Sequence, residues 1–292
     1  MIKIGIHNAY ASADWDVDYK GVIKRIAKLG FDFIEANPSK FHLMSKSQRR
    51  DIRTLAEDLE LSIVCSFGLP FKYDISSENE TVRKDGVAYC KEILHIVHEM
   101  GSDLYAGCNY SYWPFRYTTP MPDRRKLLDN SIKSVSELCK LAEDLEIDYS
   151  VEVLNRFEHY LLNTAKEGVE YCERIDSPRI KLNMDTFHMN IEEESLTESL
   201  ILTKEYVTDV HFGENNRAFP GMGRLPWRDI IKALKSFNYD KYICLEPFIV
   251  PNGEVAQNTY LWRDIVEDFS QDKMDVLARA SLNYIRSLID LN

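Results

Sequence analysis

No CxxC pair occurs among the six cysteines of this 292-residue chain (Cys65, Cys90, Cys108, Cys139, Cys172, Cys244), and several of them sit inside apolar runs. That spacing argues against a disulfide framework or a zinc knuckle, and the thiols read as small buried hydrophobes of a reducing compartment. No window approaches the roughly 20 apolar residues of a membrane span, and the opening MIKIGIHNAY lacks the apolar centre of a signal peptide. The expectation is a cytoplasmic protein with no membrane partner. Basic residues are in deficit, 36 against 47 acidic, and a net charge of −11 has the wrong sign for tracking a phosphate backbone. Nucleic acid is therefore not the expected partner. No Gly-rich dinucleotide fingerprint follows the first apolar run, and no linker or low-complexity segment divides residues 1–292, which read as a single domain.

What the sequence does contain is a regular alternation. Short apolar runs (KIGIHNA, DFIEANP, SIVCSFG, DLYAGCN, DYSVEVLN, IKLNMDTF, VTDVHFGE and KYICLEPF) are separated by segments of helical spacing such as Ile52, Leu55, Ala56 and Leu59. Capping-box spacings at Ser45 and Gln48, Thr164 and Glu167, and Ser195 and Glu198 mark helix starts, and Pro226 opens another helix. Eight strand-helix repeats in a chain of this length predict an α/β fold, a (β/α)₈ TIM barrel, whose chemistry sits at the C-terminal ends of the strands.

The last four runs each carry one residue of ligand type near that end: Glu152, Asp185, His211 and Glu246, spaced 33, 26 and 35 residues apart. One strand-helix unit separates each from the next, so the four side chains can converge. Three carboxylates and one imidazole make an oxygen-rich site suited to Mn²⁺, Co²⁺ or Mg²⁺. Beside them lie Glu158, His188 and Arg217, able to hydrogen-bond the adjacent oxygens of a polyol, with Trp113 and Phe248 as aromatic neighbours and Gly107 among the substrate contacts. His95 and His98 lack an acidic partner in the HExxH arrangement and read as surface or packing histidines, and Glu192 to Glu194 as a solvated face.

The motifs EVLNRFEHYLLNTAKEGV, DTFHMNIEE, HFGENNRAFPGMGRLPW, EPF and WRDI, with YSYWP earlier, resemble the ketose 3-epimerase family, the D-tagatose and D-psicose (D-allulose) 3-epimerases of the xylose isomerase-like barrels. The resemblance implies Glu152, Asp185, His211 and Glu246 as metal ligands, Mn²⁺ or Co²⁺ as the ion, a free ketose as substrate, and a homodimer or homotetramer. It also implies that Glu158, His188 and Arg217 clasp the sugar. Epimerisation at C3 would then use Glu152 and Glu246 as the two acid/base groups, acting through an enediolate. The first half departs from the pattern at His7, where relatives commonly carry tyrosine, and at Ser66 to Pro70, so His7, Phe67 and Cys108 are candidates for setting substrate preference. The alternatives within this superfamily are an aldose-ketose isomerase or a sugar-phosphate epimerase. A phosphate would call for basic residues after the seventh and eighth strands, where only Arg263 stands.

Overall fold

In a computed structural model, which describes residues 1–115 and 118–291, the eight apolar runs form parallel strands that close into a barrel in sequence order. These are β1 (Lys3–His7), β2 (Phe33–Ala36), β3 (Ser62–Ser66), β4 (Leu104–Ala106), β5 (Asp148–Val153), β6 (Ile180–Asp185), β7 (Val207–Phe212) and β8 (Tyr242–Leu245). Between them run α1 (Tyr19–Leu29), α2 (Pro38–His42), α3 (Lys46–Asp58), α4 (Glu80–Glu99), α5 (Arg124–Asp144), α6 (Ala165–Ile175), α7 (Thr186–Glu192), α8 (Leu196–Leu202) and α9 (Trp227–Ser236). Two more, α10 (Glu254–Thr259) and α11 (Gln271–Leu291), follow β8.

Strand alternation sorts each run into two faces. On β6, Ile180, Leu182 and Met184 join the main core with helix residues such as Ile23, Leu138 and Ile230. Full burial of each such aliphatic side chain is worth about 1.5–3 kcal/mol. The intervening Asn183 and Asp185 turn to the barrel axis. A separate cluster of Phe33, Val64, Leu104, Ala106 and Cys244 plugs the interior below the polar residues. Gly5 leaves room for this plug, since a Cβ there would come within 2.3 Å of the Phe33 ring.

Helix starts follow the sequence signals with two differences. Ser45 with Gln48 and Thr164 with Glu167 form reciprocal capping boxes, whereas Ser195 accepts the Glu198 N–H without a return bond. Pro226 stands at the N-cap of α9 rather than inside it, its carbonyl accepting from Asp229 and Ile230 N–H. The glutamate run is not simply a solvated face. Glu192 accepts three N–H groups of Arg156, and Glu193 accepts Ala165 N–H at the start of α6 and Ser199 Oγ–H, leaving only Glu194 exposed. Carboxylates beside an arginine and a helix N-terminus are stabilised there. All six cysteines are free and buried, and His95 and His98 are exposed on α4.

Candidate active site

The strand register brings the four ligand-type residues together. Asp185 pairs directly with His211 across β6 and β7, and Glu152 pairs with Asn183 across β5 and β6. Glu246 follows the end of β8, its N–H donating to the Phe212 carbonyl. Ligand atoms of Glu152, Asp185, His211 and Glu246 all lie within 4.8 Å of one another, and all four residues are buried. His211 Nδ1 lies 3.3 Å from Glu246 Oε1 and 3.6 Å from Glu152 Oε1.

Crowding so many carboxyl groups away from water has an electrostatic signature. Burial raises Glu152 and Asp185 above the usual carboxylate range, and the neighbouring Glu246 adds to both shifts. Burial opposes ionisation of Glu246 too, but His211, His7 and Arg217 outweigh it and pull that carboxyl down to about 2. His211 is raised well above the ordinary histidine range, burial being outweighed by Glu35, Glu246 and Asp209. His211 Nδ1 and Asp185 Oδ2 are buried without a hydrogen-bond partner among the described residues. Buried ligand-type atoms left unpaired around a common point, in an oxygen-rich set with one nitrogen, fit a hard divalent cation.

Above this cluster opens a cavity of about 310 Å³. Its walls include His7, Gly107, Trp113, Glu158, His188, Arg217 and Phe248, together with Glu152 and Glu246. Arg217 sits in the β7–α9 loop with φ of 59°, in the left-handed region. Its Nη2 donates to Glu158 Oε1 at 2.5 Å, its Nη1 lies 3.5 Å from Glu246 Oε2, and its guanidinium stacks 4.1 Å from the Phe187 ring centroid. Glu214 holds the same loop by accepting Gly221 and Leu225 N–H and the Trp227 indole N–H. Burial works to raise Glu158, but Arg217 outweighs it and holds the carboxyl below its ordinary value.

His188 stands one turn past Asp185 on α7. Asn155 N–H donates to its Nδ1 at 3.2 Å, so the hydrogen of the neutral ring is on Nε2, 3.4 Å from Asp185 Oδ2. Burial pushes this histidine down to about 4, which keeps it neutral. His7 is fixed the same way, with Ala9 N–H on Nδ1 and ring-edge contacts to Trp15 and Phe248. Gly107 has φ of 104°, and a Cβ there would meet the Phe67 carbonyl oxygen at 2.7 Å. Its own carbonyl accepts the Glu152 N–H. Phe67 and Cys108 line the same wall, whereas Arg263 is exposed and does not line the cavity.

Sequence reasoning missed several residues that the barrel brings to the site. Glu35, Asp209 and Asn183 surround His211 Nε2, Asn155 orients His188, and Trp15 walls the cavity. Period-two counting back from His211 and Asp185 would have put Asp209 and Asn183 on the same inward faces.

Residues 23–267 match the family described as xylose isomerase-like TIM barrel. The chain is 36% identical to D-psicose 3-epimerase of Ruminiclostridium cellulolyticum over 289 residues, covering 99% of this chain and 98% of that one. It is 33% identical to D-psicose 3-epimerase of Agrobacterium fabrum, with 99% of each chain covered. A crystal structure of D-psicose 3-epimerase with D-tagatose, from Clostridium cellulolyticum H10, superposes with a TM-score of 0.96 at 36% identity, over 98% of this chain and 99% of the other. Among the described residues no helix is long and apolar enough to cross a membrane.

Proposed function

The chain belongs to the xylose isomerase-like TIM barrel family and to the ketose 3-epimerases within it, and on that premise we propose that it inverts C3 of free ketoses, such as D-fructose to D-psicose or D-tagatose to D-sorbose. The cofactor is Mn²⁺ or Co²⁺, held by Glu152, Asp185, His211 and Glu246. One observation carries the reading: of these four, Glu152 and Glu246 line the cavity, whereas Asp185 and His211 do not. Of the three carboxylates in the ligand set, a sugar can touch only these two, which supports them as the pair that transfers the proton at C3.

Glu152, Asp185, His211 and Glu246 would hold a divalent ion there, which would supply Lewis-acid polarisation of the C2 carbonyl. One glutamate, as carboxylate, takes the proton from C3. The C–H electron pair becomes the C2–C3 double bond, and the carbonyl π pair moves to O2, giving the enediolate. The other glutamate, as carboxylic acid, returns a proton to the opposite face of C3, and the carbonyl re-forms. Arg217 and His188 hold the O1 and O2 end, already fixed by the Glu158 and Asn155 contacts, and Glu158 orients O1. Trp113 and Phe248 wall the carbon chain, with His7 and Gly107 towards its far end. The enzyme works in the cytoplasm as a homodimer or homotetramer. Six free thiols support the first, and Phe157 and Trp262, 69% and 89% exposed, offer apolar surface to a second copy.

The test is to strip the protein with a chelator, reload it with Mn²⁺ or Co²⁺, and resolve the products from a panel of free ketohexoses and ketopentoses. C3 epimers should form only after reloading. An aldose product would replace the proposal with aldose-ketose isomerisation, and full activity in exhaustively stripped protein would remove the metal from it.

A further inference from the structure

Glu35 is a fully buried carboxylate on β2, a strand that supplies none of the four ligand-type residues. The run FIEA is otherwise apolar, and Glu35 stands on the inward face two residues beyond Phe33 of the interior plug. An isolated carboxylate there is costly, so its partner matters. Among the described residues its side chain makes one hydrogen bond, Oε2 to His211 Nε2 at 3.0 Å.

We propose that Glu35 is a positioning residue of the metal site: it accepts the His211 Nε2–H and thereby keeps the Nδ1 lone pair turned to Glu152, Asp185 and Glu246. The inference rests on the metal-site reading above and adds a residue to it. A neutral imidazole carries one hydrogen, and an acceptor at one nitrogen decides which nitrogen remains a ligand. Without Glu35 the hydrogen can move to Nδ1, which lies 3.3 Å from Glu246 Oε1 and 3.6 Å from Glu152 Oε1, and the ring would then turn a donor instead of a lone pair towards those carboxylates. Asp209 also approaches Nε2, its Oδ2 at 3.2 Å, but among the described residues neither of its oxygens has a hydrogen bond of regular geometry. Glu35 has the aligned geometry and Asp209 does not. Asn183 Nδ2 lies 2.8 Å from the same nitrogen, and an end-for-end turn of that amide puts its otherwise unpaired Oδ1 there as a second acceptor.

The experiment is a calorimetric titration of Mn²⁺ into the full-length, metal-stripped protein as wild type, Glu35→Gln and Glu35→Leu, with visible spectra of the Co²⁺-loaded forms. Glu35→Leu should raise the Mn²⁺ Kd by about 10- to 100-fold and alter the Co²⁺ bands. Glu35→Gln, whose amide oxygen can still accept, should fall between it and wild type. Variants that melt earlier without metal yet bind Mn²⁺ with the wild-type Kd would show a packing role and overturn the inference. So would loss of folded protein in Glu35→Gln, which preserves the side chain's shape. Wild-type protein that binds neither Mn²⁺ nor Co²⁺ would overturn both this inference and the reading it rests on, whereas tight binding by wild type and variants alike would overturn this inference alone.

Discussion

Arg217 and Glu158 form a charge-assisted hydrogen bond of 2.5 Å at the wall of the cavity, with side chains only 8% and 7% exposed. Each neutralises a charge the other would leave stranded. Breaking a buried pair by removing one member costs about 3–5 kcal/mol, far more than an exposed pair is worth. Arg217→Leu should therefore lower stability by about that amount in urea unfolding, besides abolishing turnover. Arg217→Lys keeps the charge but loses the forked geometry and should cost less stability while still reducing kcat/KM. Equal stability of Arg217→Leu and wild type would show that Trp113 and Asn155, which also donate to Glu158, suffice to hold it.

Glu152→Gln and Glu246→Gln should each lower kcat/KM for epimerisation by about 10²–10⁴-fold, the usual contribution of a positioned acid or base. One variant should still exchange the C3 proton with solvent deuterium from one epimer only, because its remaining glutamate can act on one face. Metal content measured alongside separates loss of a base from loss of the ion. Normal turnover by either variant would remove that residue from the chemistry.

His7 packs against Trp15 and Phe248 at the end of β1, where the resemblance to the epimerases is looser. A gained or lost hydrogen bond to a sugar hydroxyl changes discrimination by about 0.5–1.5 kcal/mol, and more where a buried group is left unpaired. His7→Tyr should shift the relative kcat/KM among D-fructose, D-tagatose and D-psicose without changing metal affinity. If all rates fall in proportion, His7 supports the site without reading the sugar.

His159 should make the protein acid-sensitive from within. It is fully buried, accepts Leu161 N–H on Nδ1, and is pushed by burial down to about 3. Unfolded, it takes a proton near pH 6.5, while folded it stays neutral until about pH 3. The unfolded state therefore binds more protons in that window, and stability falls as pH drops, by up to about 1.4 kcal/mol per pH unit. His159→Asn, whose Oδ1 can replace Nδ1 as acceptor, should flatten the dependence by about one proton when unfolding is followed from pH 6.5 to 4. An unchanged slope would show that His159 titrates normally in the folded protein.

The sequence alone determined the repeat. Apolar runs of strand length alternating with helical spacings, each run needing burial on both faces, leave a closed parallel barrel as the natural arrangement. The same regularity located Glu152, Asp185, His211 and Glu246, because equivalent positions on consecutive repeats lie side by side. Tertiary structure decided what those residues meet. Glu35 reaches His211 from a strand 176 residues away, a relation set by barrel closure and invisible to any local pattern. Glu158 and Arg217 come from different loops, and their pairing depends on the left-handed turn at Arg217 and the Glu214 bonds that hold it. The run of three glutamates looked solvated because local sequence carries charge but not its partners. Arg156 and the first turn of α6 became those partners only when the loops folded over the barrel mouth.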